Sequence, residues 1–116
     1  MNSKNENAVE LIQQMSKTSL YKEVVLQLQK DFEMCGLTID LDEFVLPGEF
    51  VKRVHQEILM LLKHSFDTYL QLLYRVDLPE EAMNFNIQDV DSIAQKATFY
   101  ILQREWQKVK LRISFE

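Results

Sequence analysis

An all-α fold, an up-and-down helical bundle around one long central helix, is what this chain of 116 residues predicts. Only two glycines and two prolines are present, so tight turns and helix breakers are few. Apolar residues recur at three-and-four spacing through most of the sequence. The segment from Glu49 to Val76 is apolar around most of its circumference, and a helix of that kind must be surrounded.

Taking the elements in order, residues 1–8 hold no apolar period, and a disordered or frayed start is expected. A short amphipathic helix follows over Val9–Met15, with Leu11, Ile12 and Met15 on one side. Ser16 to Ser19 form a polar break, in which the hydroxyl of Thr18 or Ser19 is placed to cap the next helix. That helix runs from Leu20 to about Met34. Tyr21, Val24, Val25, Leu28, Phe32 and Cys35 fall at helical spacing along it, and Gly36 stands where a left-handed closing residue is needed.

After Gly36 the period becomes two, with Leu37, Ile39 and Leu41 alternating with Thr38, Asp40 and Asp42, the pattern of a short strand. Pro47 and Gly48 mark a turn, and Glu49 brings negative charge to the first turn of the long helix, where the dipole favours it. Along that helix Leu59, Leu62, Phe66, Tyr69, Leu73 and Val76 form one stripe, and Val51, Val54, Ile58 and Leu61 a second. At about 1.5 Å per residue it would be roughly 40 Å long, more than such a domain is usually wide, so its ends project or meet another chain.

Pro79 stops the long helix, and Asp77–Gln88 reads as a loop with a helical turn at Glu80–Met83. Asn86 and Asp89 resemble a cap for a last helix, placed from Ile87 to about Lys110. Its first stripe is Val90, Ile93, Ala94, Ala97 and Ile101, its second Phe99, Leu102, Trp106, Val109 and Ile113. The tail, Leu111 to Phe115, alternates again. It either pairs with residues 37–41 in a two-stranded ladder or continues the helix to Ser114. Together the elements form a single domain.

The net charge of −5 disfavours binding to phosphate backbones, which rests on clustered lysine and arginine. A single cysteine asks for no oxidising compartment, the start offers no secretory apolar run, and Lys63, His64, Asp67, Gln71 and Arg75 interrupt the most apolar stretch. A cytoplasmic protein off the membrane is expected. Acids dominate Asp31 to Glu49, where Asp40, Asp42 and Glu43 are the candidate ligands for a divalent cation. The spacing lacks the central glycine and distal acid of a calcium loop, so capping and solvation explain it as well. Arg104, Lys108, Lys110 and Arg112 surround Trp106 in a nucleic-acid-like pattern. Dipole stabilisation and neutralisation by the acidic loop after Gly36 account for it without a ligand. His55 and His64 lie on nearly opposite sides of one helix and cannot share a metal, while His64 and Asp67 are at contact spacing. Cys35, beside a helix C-terminus, is expected to pack as a small apolar residue.

The stretch Tyr69 to Glu81, YLQLLYRVDLPEE, and the later run AQKATFYILQREWQKVK, Ala94 to Lys110, resemble small helical proteins of the Bacteroidetes that carry no assigned activity. The resemblance covers about the second half of the chain. It implies a cytosolic bacterial helical protein and transfers no functional residue.

No catalytic residue, cofactor or metal site is therefore expected. The long and last helices each offer two apolar stripes, which points to a homodimer or another protein partner; the alternative is a compact monomer in which the Val9 helix and the Leu37–Leu46 segment cover the second stripes. The corresponding surface is Val51, Val54, Ile58, Phe99, Leu102 and Trp106. An interaction module, an adaptor or regulator, is the first functional expectation. A small metal-dependent protein or enzyme using the acidic loop, or His64 with Asp67, is the second.

Overall fold

The computed structural model describes residues 3–78 and 89–115, and among these it has five α-helices and no strand. Helix α1 spans Ser3–Ser16, α2 Tyr21–Met34, α3 Pro47–His64, α4 Phe66–Val76 and α5 Val90–Ser114. The radius of gyration of 13.3 Å equals that of a single folded unit of this length, about 13 Å.

Helix α1 begins at Ser3, earlier than its apolar pattern, so the expectation of a frayed segment to residue 8 is corrected from Ser3 onward. Ala8, Ile12 and Met15 are fully buried at spacings of four and three, the face that seats the helix on its neighbours. Thr18 links α1 to α2. Its hydroxyl donates to the Met15 carbonyl at 2.7 Å and accepts the Leu20 N–H at 3.2 Å.

Helix α2 buries Val24, Val25, Leu28 and Phe32 and closes as its sequence requires. Gly36 has φ +76°, the Leu37 N–H reaches the Phe32 carbonyl, and the Gly36 N–H reaches the Glu33 carbonyl, both at 2.9 Å. This paired closure needs a left-handed residue that glycine adopts without a Cβ clash. Residues 37–46 then cross the surface without regular structure. Ile39 and Leu41 point inward, and the Tyr21 hydroxyl donates to the Val45 carbonyl at 2.6 Å.

The expected 49–76 helix exists as two helices. It starts two residues early, with Pro47 in the first turn where its missing N–H costs nothing. It breaks at Ser65, whose backbone at φ −151°, ψ 66° leaves the helical region. Ser65 N–H closes α3 on the Leu61 carbonyl at 2.8 Å, and its own carbonyl opens α4 by accepting from Tyr69 at 3.0 Å. An unbroken 28-residue helix would measure about 42 Å, whereas the longest extent of the molecule is 39 Å. The break at a serine, a residue whose hydroxyl competes with helical hydrogen bonding, lets α4 turn to pack on α2, α3 and α5.

The centre of the bundle is α5, which contacts all four other helices; it displaces the 49–76 segment from the role expected of it. Its burial runs through Ala94, Ala97, Thr98, Ile101, Leu102, Glu105 and Val109, and the small residues at its start let α1 and α3 approach closely. Asp89 caps it, accepting from the Ser92 N–H at 2.8 Å and the Ser92 hydroxyl at 3.1 Å. The helix runs to Ser114, so the tail takes the helical alternative and the ladder between 37–41 and 111–115 does not form. The reason is local: no breaker follows Lys110, and Arg112 is anchored to α2. The expected turn at Glu80–Met83 and the start of the last helix at Ile87 lie outside the described residues.

Candidate functional site

Two arrangements stand out: a buried polar cluster between α2, α4 and α5, and an exposed apolar row on α4.

The cluster is built from residues that interrupt apolar faces. Asp31 falls on the buried face of α2 beside Leu28 and Phe32, and Glu105 on that of α5 between Leu102 and Val109. Their side chains are 1% and 0% exposed. Lys108, one turn on, places Nζ 2.7 Å from Asp31 Oδ2 and 3.1 Å from Glu105 Oε1, and Arg75 of α4 donates through Nε to Asp31 Oδ1 at 3.2 Å. Gln27 completes the Asp31 shell at 3.2 Å. One carboxylate thus ties three helices together.

Neither Glu105 oxygen receives a well-formed hydrogen bond, because the Lys108 contact, though close, is off hydrogen-bond geometry. A protonated Glu105 removes this conflict by donating toward Asp31. Burial first, and then the neighbouring Asp31 carboxylate, push the Glu105 carboxyl up to about 8, against the pull of Lys108. For Asp31, burial acts upward but is outweighed by hydrogen bonds from Glu105 and Lys108, the Lys108 charge and Gln27, which hold it below the ordinary carboxylate value. Two adjacent acids driven apart in this way can resemble an acid/base pair. Their near-complete burial inside a helix junction instead makes them a structural clamp that stores one proton.

The remaining sequence candidates are dispersed. Asp40 is fully exposed and pairs with Arg53, Asp42 accepts the Phe44 N–H at 2.8 Å, and Glu43 pairs with Lys22 at 3.5 Å. Among the described residues no three His, Cys, Asp or Glu side chains converge as a metal site would need. The basic end of α5 is neutralised, but by α2 and by Asp77 rather than by the acidic loop. Lys108 meets Asp31, Arg112 meets Glu23 at 3.3 Å, Arg104 meets Asp77 at 3.1 Å, and Lys110 lies 4.4 Å from the centre of the Trp106 ring. His55 Nε2 is 3.4 Å from Asp91 Oδ1, joining the middle of α3 to the start of α5, while His64 is exposed at the end of α3. The Cys35 thiol is pushed up by burial and by Asp31, against Arg75, so it is a poor nucleophile.

The expected docking surface is largely interior. Val51, Val54, Ile58 and Leu102 are at most 1% exposed, and Phe99 and Trp106 are half-buried against the core. The break at Ser65 and the central place of α5 let one chain cover the stripes that seemed to need a second. Phe66, expected inside, is 54% exposed.

Among the described residues, a regular row of exposed apolar side chains lies on α4. Phe66, Leu70 and Tyr74, four residues apart, are 54%, 38% and 77% exposed and form a row along the edge of the buried face that carries Tyr69, Leu72, Leu73 and Val76, with Phe66 stacked on Tyr69. Asp67, Gln71 and Arg75 form a parallel exposed row beside it. The four-residue spacing is visible in the sequence, but its pattern puts Phe66 in the core stripe of an unbroken helix and Leu70 and Tyr74 in neither stripe. A shallow depression of about 220 Å³ lined by Asn7, Glu10, Leu11, Gln14 and Phe99 lies elsewhere, between α1 and α5, and gathers a single carboxylate.

Among the described residues no helix is long and apolar enough to cross a membrane. No protein-family model matches the chain, and neither a curated protein nor a solved structure matches it.

Proposed function

We propose that this chain is a small helical protein-interaction module, an adaptor or regulator, that self-associates through the outward face of α4. The observation that carries the reading is the row Phe66, Leu70 and Tyr74, three large apolar side chains exposed along a helix whose adjoining face is well packed. Other exposed apolar residues are less suited. Phe44 and Leu46 sit in the irregular crossing, Met60 is the one large apolar group on the outer face of α3, and Leu111, Ile113 and Phe115 end α5 beside basic residues. The cytoplasmic setting and the bacterial source belong to the same proposal. A metal-dependent role for Asp40, Asp42 and Glu43 is not favoured, since each carboxylate turns to a different partner.

Sedimentation equilibrium of the purified protein tests the proposal. The mass is expected to rise from 13.8 kDa toward twice that value with concentration. Leu70→Glu, which places charge in the middle of the row, is expected to hold the protein at the monomer mass with an unchanged helical spectrum. A wild type that stays monomeric at every concentration contradicts it.

A further inference from the structure

Two buried acids draw on one lysine where α2, α4 and α5 meet, and that shared partner decides how the junction responds when a proton leaves it. Lys108 Nζ lies 2.7 Å from Asp31 Oδ2 and 3.1 Å from Glu105 Oε1, so a small movement of one ammonium group transfers it from one acid to the other. Arg75 of α4 and Gln27 of α2 both donate to Asp31 Oδ1 at 3.2 Å. The Asp31 and Glu105 side chains are 1% and 0% exposed, so neither acid can turn to water for a replacement partner.

We propose that this junction is a proton-operated switch, in which ionisation of Glu105 draws Lys108 away from Asp31 and unfastens α5 from α2 at this level while α2 stays tied to α4. With its proton in place, Glu105 donates toward Asp31, which therefore holds α5 twice, through Glu105 and through Lys108. Loss of the proton turns that donor into a second buried carboxylate facing the first across the α2–α5 seam, and it then needs a cation. Lys108, three residues along the same helix, is already beside it, and a Glu105–Lys108 pair closes within α5. Asp31 keeps Arg75, so its remaining ion pair joins α2 to α4. Charge balance favours this exchange over unfolding. While Glu105 is neutral one acid faces two bases, and once it ionises two acids face two bases, so each buried carboxylate retains a cation.

The groups that face Glu105 are Asp31 of α2 and Lys108 of its own helix, and those around Asp31 are Lys108, Arg75 of α4 and the Cys35 thiol at the end of α2. Among the described residues no ion pair links α1 or α3 to them, since Arg53 and His55 of α3 pair with Glu49, Asp40 and Asp91. Burial, which pushes the Glu105 carboxyl up to about 8, sets the exchange just above neutrality. Its reach along the helices is short. Arg112 joins Glu23 at 3.3 Å and Gln27 at 2.9 Å nearer the start of α2, so the seam stays fastened there and loosens at the Asp31 end. The exchange is internal to one chain and does not depend on self-association.

Spin labels read the seam directly. In a Cys35→Ser background, labels at Glu33→Cys of α2 and Gln107→Cys of α5, both exposed positions, report the α2–α5 separation by dipolar electron paramagnetic resonance, and a pair at Lys52→Cys of α3 and Gln107→Cys serves as reference. Between pH 6 and pH 9 the first separation is expected to lengthen with a midpoint near 8 while the second stays constant. Glu105→Gln, which still donates to Asp31 and cannot ionise, is expected to keep the pH 6 separation throughout. A carboxyl-carbon NMR titration of the unsubstituted protein, which needs no variant to fold, is expected to place Glu105 in the same range. An α2–α5 separation indifferent to pH, equal lengthening of both pairs, an undiminished response in Glu105→Gln, or a Glu105 carboxyl that titrates in the ordinary carboxylate range overturns the switch.

Discussion

At the scale of single residues, the protein turns on a few polar side chains set into apolar faces. The sequence reading places Asp31 only in an acidic run and does not single out Glu105, although each interrupts a helical stripe of large apolar residues. Their meeting across two helices 74 positions apart in sequence was not legible, because pairing is decided by packing. Glu105 gives a pH dependence of defined sign. Its folded carboxyl titrates near 8, against 4.5 when unperturbed, so between these values the folded state holds a proton that the unfolded chain has released. Its contribution to stability is complete below about pH 4.5 and is lost as the pH rises through 8. Asp31, shifted downward, acts in the opposite sense, stabilising above its unperturbed value of 3.8 and losing that effect in stronger acid. Thermal melts should therefore show a midpoint that falls from pH 5 to pH 9, and Glu105→Gln should flatten that fall; an identical slope in the variant would refute the shared-proton cluster. Asp31→Ala should cost about 2 kcal/mol, less than the roughly 3–5 kcal/mol typical of breaking a buried pair, because Glu105 can ionise and take over Lys108. Gly36→Ala should cost about 1 kcal/mol from the positive φ alone, since a Cβ there meets open space.

At the scale of elements, period and punctuation in the sequence located the helices, and geometry decided their continuity. The Gly36 closure and the Asp89 cap were readable because each depends on a few adjacent residues. The interruption at Ser65 was not, because the apolar pattern runs through it and a globule only 39 Å long, which no local pattern encodes, limits the helix. Alternation at Leu37–Leu41 and Leu111–Phe115 suggested strands. Ile39 and Leu41 do turn inward, but without a partner strand, and the tail stays helical because nothing stops it. The break moves Phe66 from core to surface, which changes what its substitution does. Phe66→Asp should melt cooperatively within a few degrees of wild type, whereas Leu72→Asp, at a fully buried position on the same helix, should fail to fold. Circular-dichroism melts of the two variants decide this, and equal loss in both would return Phe66 to the core.

At the scale of the whole molecule, the sequence spoke clearly about class and poorly about surface. Scarce glycine and proline together with pervasive helical spacing sufficed for an all-α bundle. The docking surface did not follow from the same pattern, since Val51, Val54, Ile58 and Leu102 are covered once α5 takes the centre and touches every other helix. A helix with apolar residues on several sides is ambiguous in sequence between a buried hub and an interface. Only the packing of the other four helices around it resolves this for α5, and the row on α4 is among the apolar surface that remains uncovered. Hydrogen–deuterium exchange of the wild type at low and high protein concentration reads this most directly. Amides of residues 66–76 are expected to gain protection as concentration rises, with the rest of the chain unchanged. Protection that appears elsewhere, or no dependence on concentration, would contradict a protein that works through α4.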